Sequence, residues 1–229
     1  MTLEQAPRAL MLAGKGRYQD PWHDHAATSQ TVAVMLHRLG LDVQVRGTVP
    51  EAFTGLETFG LIVVNSGRSS DQLFVSDLEV QSWVTCHEAL HQAAIGGTAV
   101  LGLHQAANTF PDSDRWPAIL GGRWVPGVST HPPYGDAVLD AAGEHPIVTG
   151  DRRRFTVDER YCNLQISPDS QVLLTHRHQG IDHPLAWVHQ RPPYRVVYDG
   201  LGHDVTAYGT RARQELFEHE VNWLIRERA

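Results

Sequence analysis

Four short clusters in this 229-residue chain hold the side chains that could do chemistry. The first is Gly102-Leu103-His104-Gln105-Ala106-Ala107, directly after the wholly apolar Ala99-Val100-Leu101. A sharp turn flanked by small residues lifts its central side chain towards the carboxyl ends of the strands, where α/β proteins bind ligands. An imidazole placed there can bind a metal ion or carry a proton near pH 7. The second cluster is Trp22-His23-Asp24-His25, in which an indole gives the imidazole an apolar wall. The third is Gly202-His203-Asp204, where the acid can orient the ring by accepting from its second nitrogen. The fourth is Asp158-Glu159, a carboxylate pair between Phe155 and Tyr161.

Each cluster also has an ordinary reading. His104 could be a structural strand-end residue, Asp24 and His25 could precede and cap a helix, and Asp158-Glu159 could be a surface turn. Of the other histidines, His87 and His91 lie four apart on a helical pattern but lack the glutamate of a zinc-protease helix, so they read as packing or capping residues. His176, His178, His183 and His189 fall in a polar hairpin and are expected to face solvent.

The elements that must position these clusters follow from hydrophobic period. Arg8 to Gly14 and Leu61 to Asn65 are compact apolar runs suited to central strands, and alternating Asp42 to Arg46 suits a strand nearer the edge. Val32, Met35, Leu36 and Leu39 recur at helical spacing before Gly40, with Thr28 or Ser29 as cap. Ser76 and Glu79 form a capping box for a helix running to Gly96, with Val80, Trp83 and Val84 as its stripe. Such strands, separated by crossovers, make a parallel doubly wound sheet, and the loops carrying His23 and His104 then open on one edge. Residues 116–122 suit a short helix, and proline-rich 124–146 suits strand fragments and loops. Phe155 to Tyr161 reads as extended. Val172 to Thr175, Leu185 to Val188 and Arg195 to Tyr198 read as antiparallel additions. Thr210 caps a last helix buried through Phe217, Val221, Leu224 and Ile225. Trp223 on that helix either packs on the sheet or leaves a homo-oligomer contact.

Composition excludes several classes. A net charge of −7 argues against nucleic acid as partner. No apolar run approaches the roughly 20 residues that cross a bilayer, and the N-terminus lacks a basic leader, so a cytoplasmic protein with no membrane partner is expected. Two cysteines, Cys86 and Cys162, are too few for a disulfide framework. Gly14-Lys15-Gly16 lacks the third glycine of a dinucleotide fingerprint, so no nucleotide cofactor is expected.

Trp22-His23-Asp24, Gly102-Leu103-His104-Gln105, Glu144-His145-Pro146-Ile147, Phe155-x-Val157-Asp158-Glu159-x-Tyr161, Pro184-Leu185-Ala186-Trp187 and Gly202-His203-Asp204 together resemble the ThuA-like (trehalose utilisation) family, in order along nearly the whole chain. The resemblance implies a single domain over 1–229 with the fold of class I glutamine amidotransferases. That fold is a flavodoxin-like three-layer α/β sandwich, its sheet mostly parallel with helices on both faces and antiparallel additions in the second half. The elbow that carries cysteine in amidotransferases here carries His104, so glutamine amidotransfer through a thiol is excluded.

The resemblance further implies carbohydrate metabolism, with a hydrolase or lyase acting on a glycoside or an oxidised (3-keto) sugar. His104, Glu159 and His203 are the expected catalytic residues, and His23, His104 and His203 the expected ligands of a divalent metal, zinc first. Trp22, Asp24, Gln105, Tyr161 and Asp204 are the expected substrate contacts. The rival reading is a non-catalytic sugar-binding or regulatory module that kept the fold and lost the nucleophile.

Overall fold

The computed structural model describes residues 6–68 and 77–226. Its first half is built from β1 (Arg8–Ala13), α1 (His25–Arg38), β2 (Asp42–Gly47), β3 (Leu61–Asn65), α2 (Asp77–Ile95) and β4 (Ala99–Leu103). The second half adds α3 (Trp116–Leu120), β5 (Gly122–Arg123), β6 (Gly135–Ala141), β7 (Arg153–Asp158), β8 (Gln165–Ile166), β9 (Ser170–His178), β10 (Ile181–His189), β11 (Val196–Asp199) and α4 (Arg211–Arg226). Nine strands form one sheet in the order β2-β1-β3-β4-β11-β10-β9-β6-β7, and β5 pairs separately with β8.

Period-2 alternation divides the core between the two faces of this sheet. Ala9 and Met11 of β1 join Val32 and Leu36 of α1 and Phe217 and Val221 of α4 on one face. Leu10 and Leu12 join Trp83 and Leu90 of α2 and Ile119 of α3 on the other. Each fully buried Leu or Val in these layers contributes about 1.5–3 kcal/mol. Helix, sheet and helix therefore make the three-layer sandwich that the sequence predicts. Edge strand β2 and central β3 also lie where their patterns place them.

Strand direction departs from expectation at β11. It was expected as an antiparallel addition, yet it runs parallel to β4, with Val196 opposite Val100, and antiparallel to β10. All four of its residues are buried, as a strand covered on both faces requires, and a continuous apolar run carries no information about direction. From β11 the chain directions alternate through β10, β9, β6 and β7. After these four reversals β7 again points with the parallel strands, so Asp158-Glu159 at its end reaches the same edge as the loops after β1, β4 and β11.

Two local expectations also change. Asp24, rather than Thr28 or Ser29, caps α1 by accepting from Ala27 N at 2.9 Å. Thr28 and Ser29 instead accept from the Asn65 amide at 2.9 Å each, tying α1 to the end of β3. Ser76 of the capping box lies outside the described residues. In α2, Val80 and Val84 face outward, and Trp83, Cys86, Leu90, Ala93 and Ala94 make the buried stripe. His87 and His91 bond the hydroxyls of Tyr18 and Tyr194, as packing residues would. At the C-terminus Thr210 accepts from Arg213 N, and Trp223 is buried within the chain. No helix among the described residues is long and apolar enough to cross a membrane.

The hairpin histidines are the largest correction. His176, His183 and His189 are buried, because the chain around Tyr161, Asn163 and Gly121 packs over their face of β9 and β10. His176 donates from Nε2 to Tyr161 O at 2.9 Å, and burial pushes its pKa down to about 4. Between about 4 and 6.5 the unfolded chain therefore binds more protons at this position, so stability falls as pH drops through that window. His176→Gln keeps a donor for Tyr161 O and is expected to flatten the fall, read as the melting temperature from pH 7 to pH 4. An unchanged slope would show that His176 titrates normally.

Candidate functional site

The turn after β4 is sharp because its neighbours are small. A Cβ on Gly102 would lie 2.6 Å from Leu120 Cδ1 and 3.2 Å from Ala106 Cβ. His104 itself takes φ 40°, a left-handed conformation that costs a β-carbon residue of order 1–3 kcal/mol. Two bonds hold it there. Tyr198 OH donates to His104 O at 2.9 Å, and His104 Nδ1 donates to Gly200 O at 2.8 Å. Because a carbonyl only accepts, the proton of neutral His104 sits on Nδ1 and the Nε2 lone pair faces the sheet edge.

His23 arrives from the loop after β1 in a matching state. Asp20 Oδ1 accepts from the backbone N–H of Trp22 and of His23 and lies 2.6 Å from His23 Nδ1, which leaves Nε2 pointing inward. His23 Nε2 and His104 Nε2 are 3.2 Å apart. Glu159 Oε2 lies 3.3 Å from His104 Nε2, 3.5 Å from His203 Nδ1 and 3.9 Å from His23 Nε2. One ligand atom from each of His23, His104, Glu159 and His203 falls within 4.8 Å of all the others.

Two facing imidazole lone pairs beside a carboxylate repel unless positive charge lies among them. The electrostatics express this demand. Burial alone would lower His23, but Asp20 and Glu159 carry its pKa up to about 9, so a proton can satisfy the cluster. Burial instead lowers His104 to about 4 against the pull of Glu159. Burial would raise Glu159, but the imidazoles of His104, His203 and His23 gathered around it hold it far below the carboxylate range. Burial likewise keeps the Tyr161 phenol protonated, and it donates to His104 Nε2 at 3.1 Å.

Above this cluster lies a cavity of about 470 Å³. Trp22, Trp124 and Tyr161 give it aromatic walls, and Gln105, Asn108 and His131 add polar groups. Trp22 is 65% exposed, leaving its indole free to cover a ligand. Thus the structure brings together His23, His104, Glu159 and His203, with Trp22, Gln105 and Tyr161 on the cavity wall. Asp24 and Asp204 are not on that wall. Asp24 caps α1, and Asp204 accepts from Thr206 N, Ala207 N and Tyr134 OH, so it orients a turn instead of an imidazole. The thiols of Cys86 and Cys162 are buried elsewhere, and burial raises both.

Sequence reasoning missed Asp20, whose spacing of three residues before His23 was the available signal. It also missed His131, 2.8 Å from Glu159 Oε1, and the wall residues Asn108 and Trp124, which no motif marks. Asp158 does more than accompany Glu159. Its fully buried carboxylate accepts from Glu159 N (2.8 Å), Gly202 N (2.7 Å) and His203 N (3.1 Å), clamping two site loops together. Stranding these donors costs about 1–3 kcal/mol each, so Asp158→Ala is expected to lower the unfolding free energy by roughly 3 kcal/mol or more. Urea denaturation measures this, and a loss under about 1 kcal/mol would mean that water replaces the carboxylate.

Several solved structures share the fold. A ThuA-like protein from Bacteroides uniformis superposes with a TM-score of 0.75 at 16% identity, covering 99% of this chain and 95% of its own. A ThuA-like protein from Parabacteroides merdae gives 0.75 at 15% identity, covering 96% and 90%. PurLQS from Thermotoga maritima gives 0.59 at 14% identity, covering 96% and 100%, which is the amidotransferase-like likeness. No curated protein sequence matches the chain. The family model described as trehalose utilisation matches residues 8–224, and on that match the chain belongs to the ThuA family.

Proposed function

We propose that the chain is a carbohydrate-active enzyme that hydrolyses or eliminates across a glycosidic bond of a glycoside or oxidised (3-keto) sugar, with a divalent cation, zinc first, at the histidine cluster. One observation carries this reading: three imidazoles and a carboxylate converge within 4.8 Å beneath a cavity with aromatic walls. Three nitrogens and one oxygen are a donor set that suits zinc. The two Nε2 atoms 3.2 Å apart, each with its other nitrogen committed to a fixed acceptor, are the arrangement that metal-binding histidines use. Membership of a trehalose-utilisation family supports a sugar as substrate.

In this reading His23, His104 and His203 would hold the cation with Glu159 balancing its charge, and the cation when bound would supply Lewis acidity and a more acidic water. Asp20 and Gly200 O fix the two ring orientations. Trp22, Trp124 and Tyr161 cover the apolar C–H faces of a sugar ring and exclude water, while Gln105 and Asn108 offer amides to its hydroxyls. Where no cation is present, the proton held by His23 takes its place, and Glu159 and His104 remain available for proton transfer.

Calorimetric titration of zinc into the chelator-treated full chain is expected to show one site per chain. His104→Ala should abolish it, and Asp20→Ala should weaken it about 10–100-fold through the lost support of His23. Failure of zinc, cobalt and manganese alike to bind stoichiometrically would remove the cation from the reading. Turnover of an oxidised disaccharide that disappears in His104→Ala supports catalysis. A glycoside that raises the melting temperature yet is returned unchanged would instead identify a binding module.

A further inference from the structure

A second basin of about 360 Å³ adjoins the histidine cavity, and the two share Asn108 and Trp124 as lining. A ligand longer than the group over the histidines can therefore cross these two side chains and enter the second basin. The linings differ in chemistry. Both have aromatic lining, but the second, with Phe110 and Trp116, also carries the charged Arg68, Arg123 and Asp114.

The neutral hydroxyls of this basin are partly committed. Thr109 Oγ1 donates to Gly67 O at 2.8 Å, and Ser113 Oγ accepts from Trp116 N at 3.3 Å. What the arginines add for a ligand is charge. Nearby Arg17 and Arg115 are neutralised by Asp112 and Glu88, at 3.1 and 3.5 Å. Arg68 and Arg123 have no carboxylate within ion-pair distance among the described residues. Arg123 Nε donates to the neutral Gln165 Oε1 at 2.7 Å, which fixes the guanidinium plane without cancelling its charge. Among the described lining residues, two guanidinium groups stand against the one carboxylate of Asp114, in a protein whose net charge is −7. A guanidinium fork matches the paired oxygens of a carboxylate or phosphate.

We propose that this basin is a second subsite, in which Arg68 and Arg123 bind an anionic group on the part of the substrate remote from the histidine cluster. The inference rests on the sugar-site reading above and names its substrate class: a sugar derivative bearing a carboxylate or a phosphate. Asn108 and Trp124 separate the two parts, and the arginines set specificity without touching the histidines.

The test is calorimetric binding of methyl glucoside, methyl glucuronide and glucose 6-phosphate to the full chain at fixed ionic strength. At least one anionic probe is expected to bind about tenfold or more tighter than the neutral one. Which of the two anions wins separates carboxylate from phosphate. Arg68→Gln/Arg123→Gln is expected to bring the ratio to about one while the melting curve and zinc stoichiometry stay as in the wild type. A ratio near one in the wild type, no binding of any probe, or a preference that survives both substitutions would overturn the proposal. Because zinc titration reads the histidine cluster separately, loss of zinc binding with an intact arginine-dependent preference would remove the metal reading and leave the subsite standing.

Discussion

Glu159 Oε2 is approached by imidazole nitrogens from three different strand ends, at 3.3, 3.5 and 3.9 Å, in a place where the carboxylate and His104 are both buried. Lone pairs and negative charge are concentrated there with little water to screen them, so the cluster holds together only with a compensating positive charge. A proton on His23 supplies it. The conformation of the surrounding loops is tied to this demand.

The support lies one layer further out and consists largely of buried aspartates. Asp20 fixes the His23 ring and two backbone N–H groups, and Asp158 gathers the N–H groups of Glu159, Gly202 and His203. Asp199, at the end of β11, accepts from Leu201 N and pairs with Arg213 of α4 at 2.5 Å. Arg213 and Asp199 are both buried, and the fully buried Glu220 beside them is pushed well above the usual carboxylate range by burial and by Asp199. Removing one member of such a pair strands a charge in the interior, which is why these ionic groups hold the loop between β11 and α4 in one position. Loop residues that carry function are thereby placed with the precision of core residues.

The fold was legible where a pattern carried its own geometry. Apolar runs with intervening helical spacing identify β1, β3 and β4 as central parallel strands, and small residues around His104 identify the turn. The same reasoning failed where burial comes from the path of the chain. His176, His183 and His189 look polar and exposed because β9 and β10 alternate, yet the chain around Tyr161, Asn163 and Gly121 packs over the face they occupy. Asp204 looked like an imidazole partner because it follows His203, but adjacency in sequence does not aim a side chain, and its carboxylate turns back to its own N–H groups.

By itself the sequence determined which residue types could act, His23, His104, Glu159 and His203, and that the loops after β1 and β4 share one edge, because parallel strands impose that edge on every connection that follows them. It also determined that no thiol occupies the elbow. Only the tertiary structure decided that the four meet at one point, since this needs the chain directions to alternate from β11 to β7 and bring Glu159 back to the common edge. The same folding decided which acids serve the site. Asp20 and Asp158 are set by three-dimensional hydrogen bonding, and Asn108, Trp124, Arg68 and Arg123 become neighbours only where the two cavities meet. Local period fixes an element and its buried face, whereas register, direction and loop path fix what its ends touch.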